Sequence, residues 1–136
     1  MPQFRIGQAA DLLGVSDDTV RRWVDAAALT AGTDAAGRAV IDGAVLAAFA
    51  RDHADQGRSI DDPSSVGRSA RNRFVGLVTA ITTDVVMAQV ELQCGPHRVV
   101  SLMSSEAVRE LKLEVGSLAV AVVKATAVIV ETPGTA

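Results

Sequence analysis

Four residues at the two ends of the second half of this chain share one chemistry. Ser69 and Arg71 fall in Ser69-Ala70-Arg71-Asn72, and Lys124 and Thr126 fall in Lys124-Ala125-Thr126. Arg71 and Lys124 supply two positive charges. Ser69 and Thr126 supply hydroxyls next to backbone N–H groups, those of the Ala125-Thr126 region included. Two cations with short neutral donors suit a small tetrahedral dianion, because hydrogen bonds to an ionised acceptor are stronger than neutral ones. The ligand that this combination fits is an anion, not a polymer. For Ser69 and Arg71 the plainer alternative is a polar segment leaving a linker, where both residue types are common. Lys124 follows Val120-Ala121-Val122-Val123. A lysine set into so apolar a strand costs desolvation unless an anion or carboxylate meets it. Its alternative is a strand-end lysine whose stem carries the charge to solvent.

These residues need a scaffold, and the pattern between them is β-rich. Phe74 to Ala80, Val85 to Leu92, Arg98 to Met103 and Leu118 to Val122 read as strands, and Ala127 to Val130 reads as a last one. Gln93-Cys94-Gly95-Pro96-His97 supplies a turn. One short helix is expected over Glu106 to Leu111. Ser104 and Ser105 precede it, so both are N-cap candidates. Helix N-termini also bind anions through free N–H groups, so capping and ligand binding could share this place. The order predicts a small five-stranded barrel of the OB type.

Residues 69–132 resemble the Mop (molbindin, or TOBE) family. The resemblance is carried by the Ser-Ala-Arg-Asn opening, Gly76 after Phe74, Leu111-x-Leu113-x-x-Gly116, and Lys124-Ala125-Thr126-x-Val128, in that family's order and approximate spacing. It implies binding of molybdate, with tungstate as a near-equivalent. It further implies an oxyanion held by Ser69, Arg71, Ser104, Lys124, Ala125 and Thr126, with the donors coming from different subunits of a homo-oligomer. In the family a second hydroxyl often stands three residues after the position of Ser104; here that residue is Ala107.

The first half is built differently. From Phe4 to Ala54 apolar residues recur at helical spacing, with Ile6, Ala9, Ala10 and Leu13 on one stripe and Val20, Trp23, Val24 and Ala27 on another. Gly14 breaks the first stripe, Ser16 is placed to cap the second helix, and Asp17 and Asp18 fall in its dipole-favoured first turn. A loop over Gly32 to Gly37, a short Val40-Ile41 segment and a third helix around Ala44 to Asp52 follow. This order, with Ile6-Gly7-Gln8-Ala9-Ala10-x-Leu12-Leu13-Gly14-Val15-Ser16 and Thr19-Val20-Arg21-Arg22-Trp23, resembles the winged helix-turn-helix of the excisionase and MerR type. The resemblance implies that the second helix enters the major groove and that a wing meets the DNA backbone. Thr19, Arg21 and Arg22 would then face DNA, with Arg38 on the wing; the alternative for Arg21 and Arg22 is a solvated helix face. Trp23 is read as core.

The expected class is therefore α+β, with a helical winged helix-turn-helix over 1–54, a linker over 55–68 rich in Asp, Ser, Gly and Pro, and the five-stranded Mop/TOBE barrel over 69–132. A net charge of −3 gives no bulk electrostatic case for nucleic acid or a membrane surface. Residues 1–60 hold six Arg against eight Asp, so DNA binding would depend on a local patch and on assembly. With Cys94 as the single cysteine, an intrachain disulfide and a Cys-rich metal site are excluded, and a reducing, cytoplasmic setting is expected. The start of the chain lacks the apolar core of a signal peptide, and no run reaches the length of a spanning helix. His97 and Cys94 in one turn, and His53, have no soft ligand near them in sequence, so no metal is expected. No triad order, P-loop or dinucleotide fingerprint occurs, so catalysis is not expected. Two function classes remain: a molybdate-responsive transcription regulator, and an intracellular molybdate-binding or storage protein whose N-terminal module serves assembly or protein recognition.

Overall fold

Gly14 takes φ +69°, a left-handed conformation open to glycine without strain, and it ends helix α1 (Ile6–Leu13). Two residues later Ser16 Oγ accepts from Thr19 N–H at 3.2 Å and starts helix α2 (Asp17–Asp25). In the computed structural model, which describes residues 2–56 and 71–134, the chain divides into two units, Met1–Ser59 and Ile60–Ala136. The first unit holds a three-stranded antiparallel sheet, with strands β1 (Gln3–Arg5), β2 (Gly32–Thr33) and β3 (Ala39–Asp42) in the order β1-β3-β2. Helix α3 (Gly43–Gln56) follows. Ala9, Ala10, Val20, Leu29, Ile41 and Leu46 close the core. Trp23 lies against it, half-buried, with its ring centroid 5.0 Å from that of Phe49.

The order helix, helix, hairpin, helix is present. β1 was not expected, since three residues are too few to show a period. α3 runs past the expected boundary at Ala54, because no helix breaker stands between Gly43 and Gly57.

The second unit is organised by one long strand. β4 (Asn72–Thr83) pairs over Asn72–Leu77 with β7 (Leu118–Val123), and from Leu77 onward with β5 (Met87–Cys94). The register shifts between Val78 and Ala80, an irregularity that bends the strand and lets its two halves serve different neighbours. With β6 (His97–Ser104) the antiparallel sheet runs β6-β5-β4-β7, and the short helix α4 (Ser105–Glu110) follows β6. Val78, Ala88, Val90, Leu92 and Val108 pack inside the curl. No helix among the described residues is long and apolar enough to cross a membrane.

The expected fifth strand is absent from this chain's sheet. Ala125–Ala127 forms one turn of 3-10 helix, and 128–134 carries no regular structure. Val128, Ile129 and Val130 are 46%, 84% and 85% exposed. Apolar, β-branched residues form a strand only when paired, and the 3-10 turn over Ala125–Ala127 directs this segment out of the line of β7. β6 and β7 are therefore both edges, and the barrel is open between them.

Gly76 marks a close approach of β4 to β5. A Cβ there would meet the Gln93 carbonyl and stand 2.6 Å from Cys94 Sγ. Gly76→Ala should destabilise this unit by about 1–3 kcal/mol, the usual cost of overpacking a filled interior. Faster hydrogen exchange of the β4 and β5 amides is the expected readout.

Candidate functional site

The two cations predicted for the anion meet at one end of one ladder. Asn72 opposite Val123 is the last pair between β4 and β7, and Asn72 Nδ2 donates to the Val123 carbonyl at 3.2 Å. Arg71 and Lys124 are the next residues outward on each strand, and both side chains are exposed. Antiparallel pairing of the module's first and last strands thus joins residues from its two termini. Asn72, which ties this end of the ladder, was passed over in the sequence as part of the opening motif.

Lys124 corrects the argument made for it. It stands beyond β7, exposed, at the N-terminal cap of the 3-10 turn, not inside an apolar strand. No desolvation penalty singles it out in the single chain; its place at the ladder end does. Thr126 lies exposed on that turn. The turn's own hydrogen bonds use the N–H groups of Ala127 and Val128, at 2.9 and 3.3 Å. Those of Ala125 and Thr126 are left outside the turn's own bonds, as the first donors of a helix always are. Ser69 lies outside the described residues.

Ser104 is elsewhere. It pairs with Met87 at the start of β5, and Ala88 pairs with Thr83, so Ser104 sits beside the far end of β4 from Arg71 and Lys124. β4 is 12 residues long, so roughly 35–40 Å of strand at about 3.3 Å per residue lies between the two groups. Ser104 Oγ accepts from Ala107 N–H at 3.0 Å and caps α4. Its own O–H stays available to donate, so capping and anion binding do not compete for the same atom's lone pair and proton.

Ser105 does different work. It is 3% exposed; its Oγ donates to the Asp84 carbonyl and its N–H to the Val86 carbonyl, each at 2.8 Å. Asp84 Oδ1 in turn accepts from Met87 and Val86 N–H at 2.7 and 2.8 Å. Those donors, Met87 first, hold the Asp84 carboxyl below its usual range. The start of α4 is thereby tied to the β4–β5 turn. An aspartate three residues ahead of a strand is an Asx-turn signal that discloses the turn from sequence, though not its tie to Ser105.

In the first unit the residues expected to face DNA are engaged locally. Arg21 Nη1 lies 3.5 Å from Asp18 Oδ1, and Arg22 Nη2 donates to Thr19 Oγ1 at 3.1 Å. Thr19 Oγ1 is also 2.9 Å from Ser16 Oγ at the cap. Arg38 Nε meets Asp34 Oδ2 at 3.2 Å, while Asp34 Oδ1 accepts from the backbone N–H of Ala36 and Arg38. The Arg38 backbone bond is the main reason that the Asp34 carboxyl is held low. The Cys94 thiol is buried, and desolvation pushes it up, away from reactivity.

Residues 68–130 match the TOBE domain family. A probable molybdenum-pterin-binding protein of Haemophilus influenzae is 46% identical over 63 residues, which are 46% of this chain and 91% of that protein. The chain belongs to the TOBE family. The molybdenum transport protein ModE of Herbaspirillum seropedicae is 41% identical over 69 residues, 50% of this chain. The chain spans only about a quarter of that relative's length, 26%. Among solved structures, the cytoplasmic molybdate-binding protein ModG, with molybdate bound, is 42% identical over 47% of this chain and 46% of that one, at a TM-score of 0.44. The family match begins at residue 68, so the TOBE domain accounts for the second unit and leaves the first to be read from its own residues.

The capping role of Ser104 in this TOBE domain is separable from any ligand. Ser104→Ala should lower stability by about 0.5–2 kcal/mol in anion-free buffer, the range for a lost N-cap. Urea unfolding followed through the β-sheet signal measures it, and no change would mean that α4 does not depend on its cap.

Proposed function

We propose that this protein binds molybdate, with tungstate as a near-equivalent, through its TOBE domain, and that it is a molybdate-responsive DNA-binding regulator of transcription. The observation that carries the first half is the meeting of Arg71 and Lys124 at one end of the β4–β7 ladder. Two cations beside the N–H groups of Ala125 and Thr126, which the 3-10 turn does not use, make a cradle for a dianion. The names of the relatives, one of them matched across nine-tenths of its length, supply the element. Ser69 joins the cradle through the chain segment just ahead of Arg71, and Ser104 completes it from a neighbouring subunit.

The fold supports that last step. Ser104 lies at the other end of β4 from Arg71 and Lys124, so one sheet does not offer all the donors to one ion along its length. A homo-oligomer with anion sites between subunits does. Ligand then stabilises the assembly by mass action, because only the assembled form carries the complete site. Selectivity over sulfate, which has the same shape and charge, comes from a cavity and hydrogen-bond lengths suited to the larger ion. The setting on this reading is cytoplasmic.

Unit one supports the regulator half by its order of elements, with α2 as the helix for the major groove, Thr19, Arg21 and Arg22 on it, and Arg38 at the wing. The ion pairs of Arg21 with Asp18 and of Arg38 with Asp34 favour the second reading, an intracellular binding or storage protein whose first unit serves assembly. A cation already paired with a carboxylate releases fewer counterions when it meets a phosphate.

Lys124→Ala should leave the sheet folded and weaken molybdate binding about 10- to 100-fold, since a charge-assisted bond is worth about 1.5–3 kcal/mol. Calorimetric titration reads this directly. In the same titration tungstate should displace molybdate at comparable concentration and sulfate should not; sulfate competing equally would remove the oxyanion reading.

For DNA, the wild-type protein should retard its own promoter fragment in a molybdate-dependent way. Arg21→Ala with Arg22→Ala should weaken binding and lower the salt slope by about one unit per lost phosphate contact, while molybdate binding survives. A wild-type protein that binds no DNA at low salt, with or without molybdate, would move the assignment to storage.

A further inference from the structure

Three aromatic rings of the first unit meet at one opening. Phe49 and His53 stand four residues apart on α3, so they share a helix face. Their rings are nearly parallel, with planes 8° apart and centroids 5.7 Å apart. The Trp23 ring comes from α2 and is tilted against both, at 51° to Phe49 and 59° to His53, with centroids 5.0 and 4.9 Å away. The rings form a corner, and with Asp52 and Ala28 they line a cavity of about 360 Å³. Trp23 and Phe49 are half-buried against the core, whereas His53 and Asp52 are exposed. The backbone fixes the corner: the N–H groups of Ala28 and Leu29 both donate to the Trp23 carbonyl, at 2.9 and 3.1 Å, in a turn where Ala27 takes φ +59°. Ala28 ends at Cβ and takes up little of the space beside the rings.

We propose that this corner is a binding site for a small organic cation of the alkylammonium class. An aromatic face carries the negative part of the ring quadrupole, so a cation against it is attracted without a hydrogen bond. Three rings from two helices offer such a cation several faces, and the Asp52 carboxylate at the rim adds a full opposite charge. The ion pair of Asp52 with Arg51 Nε, at 3.9 Å, is long and lies on the surface, where such pairs are weak, so the carboxylate is open to a ligand. Residues 1–60 hold eight Asp against six Arg, which favours a cation over an anion here.

The size and the donor set narrow the ligand. The cavity lies at the small end of the range for ligand pockets, roughly 300–1,000 Å³, so it suits a molecule of few heavy atoms. Among the described residues no group of three or more His, Cys, Asp or Glu is arranged to hold a metal ion, so Asp52 and His53 do not answer to a bare inorganic cation. An ammonium clothed in methyl groups matches both parts of the lining, its charge meeting Asp52 and its apolar surface meeting the rings. The site requires neither the oxyanion nor DNA.

Trp23 is the only tryptophan of the chain, which has no tyrosine, so intrinsic fluorescence reports on this corner alone. Choline chloride added to the full chain, against sodium chloride at equal ionic strength, should change that emission saturably. Dimethylbutanol, the neutral carbon isostere of choline, should need a concentration about 10-fold higher or more, because it keeps the apolar contact and loses the attraction of the charge to the rings. His53→Leu should weaken choline binding about 2- to 30-fold, the span of one cation–π contact. Asp52→Asn should weaken it about 2- to 5-fold, as for an exposed charge pair. Asp11→Asn, which takes the same charge from α1 outside the cavity lining, should bind as the wild type does.

Equal saturation by choline and by its isostere, unchanged affinity in both the His53→Leu and Asp52→Asn proteins, or an emission that choline does not alter each overturns the proposal. If choline leaves the emission unchanged while N-acetylarginine methylamide saturates it, the corner takes the arginine of a partner protein and the alkylammonium assignment falls. The comparison of choline with its isostere uses the wild type alone, so it decides even where a variant fails to fold.

Discussion

The double pairing of β4 is the constraint on which the second unit depends. One 12-residue strand gives its first half to β7 and its second half to β5, and the shift at Val78–Ala80 makes both possible. Because β7 is the last strand of the module and β4 the first, their pairing brings Arg71 and Lys124 together from residues more than fifty positions apart. Gly76 sits where β4 passes close to Cys94, so the local geometry is set by the absence of a side chain as much as by the contacts around it. The charge pair is a consequence of the topology, with each cation just outside the last rung.

The cations proposed for DNA and those proposed for the oxyanion stand in different surroundings. In the first unit, Arg21 and Arg38 each meet an aspartate three or four residues away. Such exposed pairs contribute little to stability, with a median of about 0–1 kcal/mol. On the proposed DNA-binding role their effect would be larger than on folding, because a partner carboxylate lowers the field that a phosphate would feel. In the second unit Arg71 and Lys124 stand just outside the last rung of the β4–β7 ladder, and among the described residues neither forms an ion pair. A dianion rewards that arrangement more than a polymer does, since it concentrates two charges in the space of one ligand.

How much could be read in the sequence differs by element. The strands now numbered β5, β6 and β7 were bounded to within two residues, because alternation and the Gly95-Pro96 turn are local signals. β4 is longer at both ends than its apolar run, since its pattern is broken where the register shifts and its ends are held by pairing alone. The last strand failed for a related reason. Val128-Ile129-Val130 has the composition of a strand, but a strand is a relation between two segments, and composition reports on one. For the candidate site, Arg71 and Lys124 were legible as the brackets of a module whose first and last strands pair. The position of Ser104 at the other end of β4 was not, because it follows from register. Ser105 was read as a second capping serine, and its tie to Asp84 is a contact across 21 residues that no local pattern encodes.

The open barrel and the divided donor set are the same fact seen from two sides. A sheet that cannot close on itself exposes apolar edges, and a site whose donors lie at opposite ends of a strand cannot enclose an ion. In the proposed assembly, association would answer both at once, by covering the edges and by bringing Ser104 of one copy toward the ladder end of another. The two free energies are then linked: whatever part of the anion's binding is realised only between copies is added to the stability of the assembly. On that proposal the hydrophobic edges would set a floor for association without ligand, and the oxyanion would raise it. A module of this size gains from that division, because a small domain buries too little surface to hold a desolvated dianion within its own core.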